Sequence, residues 1–209
     1  MTALVTYFQK GGPVMWGLLV TALVGIAYII ERFIAYTLAS IDTKKFLNEL
    51  KNVLRMDGTD AGIEFCEKYR QPVAKILKAG LIAYKKAGPD KSSIEEAISH
   101  AGTDELAFVD RGLPVLAAVA SVAPVLGFLG TVTGMIRAFN AVAIAGEVEP
   151  TLVASGISEA LITTATGLII AAPVLAFHVY FTTRSNNYAR EMESAATELV
   201  MFLLEERPR

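Results

Sequence analysis

Thr131 and Thr164 are hydroxyls set inside long uncharged runs, "PVLGFLGTVTGMI" at 124–136 and "ALITTATGLIIAAPVLAF" at 160–177. At 100° per residue, Ala120, Ala123, Gly127, Gly130, Thr131, Gly134 and Ala138 fall on one helical stripe of small residues. Thr131 is its one hydrogen-bonding side chain, and Phe128 and Thr133 lie off it. In the later run Ala160, Thr164, Gly167 and Ala171 make a second such stripe, beside a neighbouring one of Glu159, Thr163, Thr166, Ile170 and Pro173. Thr131 lies about 9 Å along its helix from Arg137, and Thr164 about 7.5 Å from Glu159. In helices of opposite direction the two hydroxyls therefore stand at one depth, where they could line a shared polar path for an ion. The same pattern also fits threonines bonded to their own i−4 carbonyls and glycines that let helices approach closely.

An ion relay inside a membrane ordinarily needs a carboxylate within the span. The one candidate here is Glu159, at the outer boundary; His178, 14 residues beyond Thr164, reads as an interfacial anchor near the other end. A titrating group would thus have to come from another chain. No Ser/His/Asp set or paired carboxylates are present, so the expectation is a protein that is not an enzyme. Cys66 is the one cysteine, there is no CxxC or His/Cys cluster, and no metal or cofactor is expected. A net charge of −2 and a pI near 5.8 argue against nucleic-acid binding.

The elements that must hold these residues are membrane helices. Of the 209 residues 53% are hydrophobic and 19% charged, and the apolar ones are clustered. Three runs lack charge altogether: 11–30, 112–136 and 160–183. The first has no basic start and exceeds the roughly 7–15 apolar residues of a signal peptide core, so it reads as a retained anchor. Residues 38–112 hold twelve Lys and Arg, 138–158 none, and the tail has Arg184, Arg190, Arg207 and Arg209. The positive-inside rule then sets the N-terminus outside and the C-terminus in the cytoplasm. The expected layout is a periplasmic N-terminus (1–12), a first span (13–37), a cytoplasmic helical region (38–112) and a second span (113–138). A short periplasmic loop (139–158), a third span (159–183) and a cytoplasmic helical tail (184–209) follow.

The cytoplasmic regions read as helices. Phe46, Leu47, Leu50, Val53 and Leu54 recur at helical spacing until Asp57-Gly58 ends the pattern. A second helix stops near Gln71-Pro72 and a third at Gly88-Pro89. Ser92 precedes Glu95 by three residues, the spacing of a capping box, and no proline follows until Pro114. One element of about 45 residues into the second span is the expectation. In the tail, Met192, Ala195, Ala196, Leu199, Phe202 and Leu203 form an apolar stripe. The fold class is an all-α membrane protein with three transmembrane helices, the second and third extended into a cytoplasmic helical bundle.

"APVLGFLGTVTGMIRAF" followed by "GISEALITTATGLIIAAPVLAF" resembles the MotA/TolQ/ExbB proton-channel family, ExbB and TolQ above all. The resemblance covers nearly the whole chain. It implies that Thr131 and Thr164 belong to the ion pathway and face an aspartate on the single transmembrane helix of an ExbD- or TolR-like partner. Glu159 matches the family's glutamate at the mouth of the third span, a pathway-mouth or subunit-contact position. Pro124 and Pro173 match its span prolines, read as helix breaks that serve coupling. It further implies a pentamer in the bacterial inner membrane around a partner dimer, with a TonB-like protein as a further partner. Thr163 departs from the pattern, standing where many relatives have alanine. It is an additional candidate for the polar lining, and extra hydroxyls would favour sodium over protons. The function so implied is ion flow coupled to mechanical work on the envelope, such as energising outer-membrane transport. The alternatives are a non-conducting membrane scaffold and a flagellar or gliding stator subunit of the same family.

Overall fold

Glycine and proline punctuate an otherwise unbroken series of helices. A computed structural model describes residues 2–146, 149–206 and 208. Among the described residues the regular elements are α1 (Thr2–Lys10), α2 (Val14–Ala39), α3 (Thr43–Glu67), α4 (Pro72–Ala87), α5 (Lys91–Asp110), α6 (Leu113–Ala145) and α7 (Pro150–Glu206). Three helices are long and apolar enough to cross a membrane, within α2, α6 and α7. The protein is an all-α membrane protein.

Chain contacts divide it into two compact units, Met1–Glu31 with Gly112–Tyr180, and Arg32–Arg111 with Phe181–Arg209. In the first unit many of the large apolar residues point outward: Leu23, Ile26, Val125, Phe128, Leu161 and Ile169 are exposed. The small ones point inward, because in lipid close backbone approach takes over from hydrophobic burial as the source of helix association.

The second unit has a core of large apolar side chains. Leu50, Leu54, Leu77, Leu81, Leu199 and Leu203 are fully buried in it, and each such side chain is worth about 1.5–3 kcal/mol on burial. All six residues of the expected tail stripe lie in this core. Around it, Lys51 pairs with Glu198 at 2.5 Å, and Arg55 grips Glu206 with two nitrogens at 2.7 and 2.5 Å. Exposed pairs of this kind add little, since water screens them, so the leucines hold the bundle. Arg32 is buried, which a guanidinium tolerates only when paired; it donates to the Val109 carbonyl at 2.5 Å.

Three local expectations change. The helix that begins near Ser92 is capped by Asp90, whose carboxylate accepts the Ser93 N–H at 3.1 Å and is also bonded by the Ser93 hydroxyl. The two bonds hold the Asp90 carboxyl below the usual carboxylate range. The capping aspartate lies two residues before Ser92, so the helix has already started where the capping box was expected. The expected 45-residue element divides into α5 and α6 at Arg111-Gly112, since Pro114 has no N–H for the Asp110 carbonyl. Most of the loop expected over 139–158 is helix: α6 runs on to Ala145 and α7 starts at Pro150. Gly146 closes α6 at φ +74°, its N–H bonded to the Val142 carbonyl at 3.1 Å. The Gly-then-Pro order is the ordinary stop and start signal for helices. The break expected at Gly58 is present, with φ +83° inside α3.

Candidate functional site

The two small-residue stripes meet. Ala123, Gly127, Gly130, Gly134 and Ala138 of α6 are all buried, while Ala120 and Thr131 at the stripe's margin are half-buried. Opposite them stand Gly156, Ala160, Thr163 and Gly167 of α7. A Cβ on Gly127 would lie 3.0 Å from the Thr163 carbonyl oxygen, and one on Gly134 would lie 2.9 Å from that of Gly156. One on Gly167 would lie 2.5 Å from the Ala123 carbonyl oxygen. These are backbone-to-backbone approaches that leave no room for a methyl group. The glycines therefore set the interhelical distance.

The threonines divide within this seam. Thr164 Oγ1 donates across it to the Gly127 carbonyl at 3.2 Å. Thr131 turns its hydroxyl back to the Phe128 carbonyl in its own helix, at 2.7 Å. Thr163 is 0% exposed, fitted against Gly130, with its hydroxyl on the Glu159 and Ala160 carbonyls at 3.1 and 2.9 Å. Its role in this geometry is to fill the space left by Gly130. Thr133 bonds the Leu129 carbonyl at 3.0 Å, as befits a residue off the stripe.

Glu159 is where sequence reasoning missed a partner. Arg137 Nη1 donates to Glu159 Oε1 at 2.6 Å, with the carboxylate side chain 14% exposed and the guanidinium 49%. The signal was available: Arg137 ends the second uncharged run and Glu159 begins the third, so an antiparallel pair of helices brings the two ends to one level. Gly12, in the turn between α1 and α2, lies directly over this pair. Pro124 and Pro173 both lie inside continuous helices, the first half-buried and the second exposed. Each deprives the residue four before it, Ala120 and Ile169, of the usual amide donor. Cys66 is buried and takes no part; burial pushes its thiol up to about 12. Among the described residues no group of His, Cys, Asp and Glu is placed to hold a metal ion.

The family model for the MotA/TolQ/ExbB proton channel family matches residues 68–194, more than half of the chain, including both stripes, Glu159 and both prolines. The chain belongs to this family. A Synechocystis protein named ExbB-like 1 is 35% identical to it over 187 residues, 85% of this chain and 70% of that protein. TolQ of the Tol-Pal system of Pseudomonas aeruginosa is 28% identical over 197 residues, 82% of this chain and 84% of TolQ. The biopolymer transport protein exbB1 of Vibrio cholerae is 29% identical over 171 residues, 80% of this chain and 74% of its own length. Within the MotA/TolQ/ExbB family the chain is thus most like ExbB and TolQ. It is a membrane subunit of the proton channel family.

Proposed function

We propose that the protein is an inner-membrane channel and motor subunit, N-terminus outside and C-terminus in the cytoplasm. Five copies would surround the transmembrane helix of an ExbD/TolR-like partner and couple proton flow to work on the cell envelope. The observation that carries this reading is a glycine seam between spans that hold no charge. From Gly112 to Ile136 and from Ala160 to Thr183 there is no acidic or basic residue. Such spans cannot relay a proton alone. They suit a ring whose titrating aspartate is brought by the partner and is protonated and released beside Thr131 and Thr164. The chain's own work is to hold helices close, offer hydroxyls and carbonyls to the passing ion, and admit it past Glu159. No catalytic chemistry is assigned to it.

Reconstitution with a single-span partner bearing a transmembrane aspartate tests the reading. Proton flux into vesicles should require both proteins and the aspartate. A scaffold would give no flux with any partner, and a sodium-driven stator would give flux that follows sodium instead.

Pro173→Ala gives a further expectation. The new amide can bond the Ile169 carbonyl and stiffen α7, and removal of an interior proline is worth up to about 3 kcal/mol. The variant should unfold at higher temperature yet carry less coupled flux. Wild-type flux would leave Pro173 a role in helix shape alone.

A further inference from the structure

The turn between α1 and α2 lies against the Glu159–Arg137 pair, and its glycine is required there twice over. Gly12 has φ +71°, a conformation that L side chains rarely adopt. A Cβ on it would overlap Glu159 Oε1, the same oxygen that accepts from Arg137, and would lie 3.0 Å from Arg137 Nη1. The turn is not free to retreat. Gly11 is buried, with its Cβ position 3.1 Å from Ile162 Cγ2 of α7. Met15 and Leu18 bury against Ile162, with Phe8, Val14, Leu126 and Ile170 around them. Phe8 of α1 and Trp16 of α2 meet edge to face at 5.0 Å, which clamps the two helices on either side of Gly12.

We propose that Gly12 is a positioning residue for Glu159. Its bare backbone roofs the carboxylate, keeps it on Arg137 and thereby controls how ions reach the outer end of the α6–α7 seam. The inference rests on the reading of Glu159 as the mouth of the pathway. A methyl group at position 12 would take the place of Glu159 Oε1, and the flexible carboxylate, with less to hold it than the packed turn, is the group that shifts.

The test measures proton flux against pH in vesicles holding the full chain with its single-span partner, together with assembly of the complex in detergent. Gly12→Ala should lose flux by up to about a hundredfold, the scale on which misplacing a group by an ångström acts, and should shift the pH midpoint. Gly146→Ala is the matched control. Its φ is +74°, and its Cβ meets nothing within 4 Å, so it should keep the wild-type profile. Glu159→Ala should also lower flux, and Gly12→Ala should then add nothing to it. If Gly12→Ala fails to assemble, Glu159→Ala in the same chain should restore assembly by vacating the space the methyl group needs.

A Gly12→Ala protein with the wild-type profile overturns the proposal. So does a loss that adds in full on the Glu159→Ala background, or one shared by Gly146→Ala, or an assembly defect that Glu159→Ala leaves unrepaired. If Glu159→Ala itself has wild-type flux and pH midpoint, the reading of Glu159 falls and the proposal with it. That outcome is told apart from the others by the single variant alone.

Discussion

Gly167→Ala is expected to cost about 3 kcal/mol or more, the upper range for overpacking a filled interior. The added methyl group would stand 2.5 Å from the Ala123 carbonyl oxygen and 3.2 Å from Gly127 Cα. Both are backbone atoms, so no rotamer change relieves the overlap and α6 and α7 must separate. Thermal unfolding in detergent should show a large drop, and flux should fall with the folded fraction. Gly102→Ala makes the contrast. Gly102 lies inside α5 with nothing within 4 Å of its Cβ position, so alanine there should stabilise by about 0.5–1 kcal/mol through helix propensity. Gly130→Ala is the intermediate case, because it strikes the side chain of Thr163 and not a backbone. Combining it with Thr163→Ala should recover most of the loss. If Gly167→Ala unfolds like wild type, the seam is looser than its geometry states.

Thr164→Val should reduce energised proton flux at least tenfold while the complex still assembles. The substitution keeps the side chain's volume and removes the bond to the Gly127 carbonyl. A bond of this kind between membrane helices averages about 0.6 kcal/mol, too little to unfold the protein. If the hydroxyl serves the proposed pathway, the loss falls on conduction and not on folding. Thr131→Val should likewise lower flux with even less effect on stability, since its hydroxyl bonds a carbonyl of its own helix. Paired measurements of flux and unfolding temperature decide the matter. Full flux in both variants would remove the two threonines from the pathway, and parallel loss of flux and folding would make them structural.

Much of this was readable before any coordinates. Span locations follow from runs without charge, which only lipid or a large core can accommodate. The α3 break at Gly58 and the α7 tail stripe follow from residue types whose preferences act locally. Less readable were the joints. Ser92 and Asp90 both offer an oxygen to a helix start, and propensity alone does not choose between them. Pro114 lies four residues past the carbonyl that misses its N–H, so α5 looked continuous with α6. The helical ends at 139–145 and 150–158 replaced an expected loop because the lack of Lys and Arg there carries no information about backbone conformation.

The sequence by itself determined that this is a three-span, all-α membrane protein with charge-free second and third spans and a place in a proton-channel family. Hydrophobicity and helical period are properties of a single strand of residues, so they survive without knowing what faces what. Only the tertiary structure decided that Thr163 fills the gap at Gly130, that Thr164 reaches across to Gly127, and that Gly12 roofs Glu159 on Arg137. Those contacts join residues between 22 and 147 positions apart, and their selection depends on ångström-scale space between backbones, which no one-dimensional pattern carries.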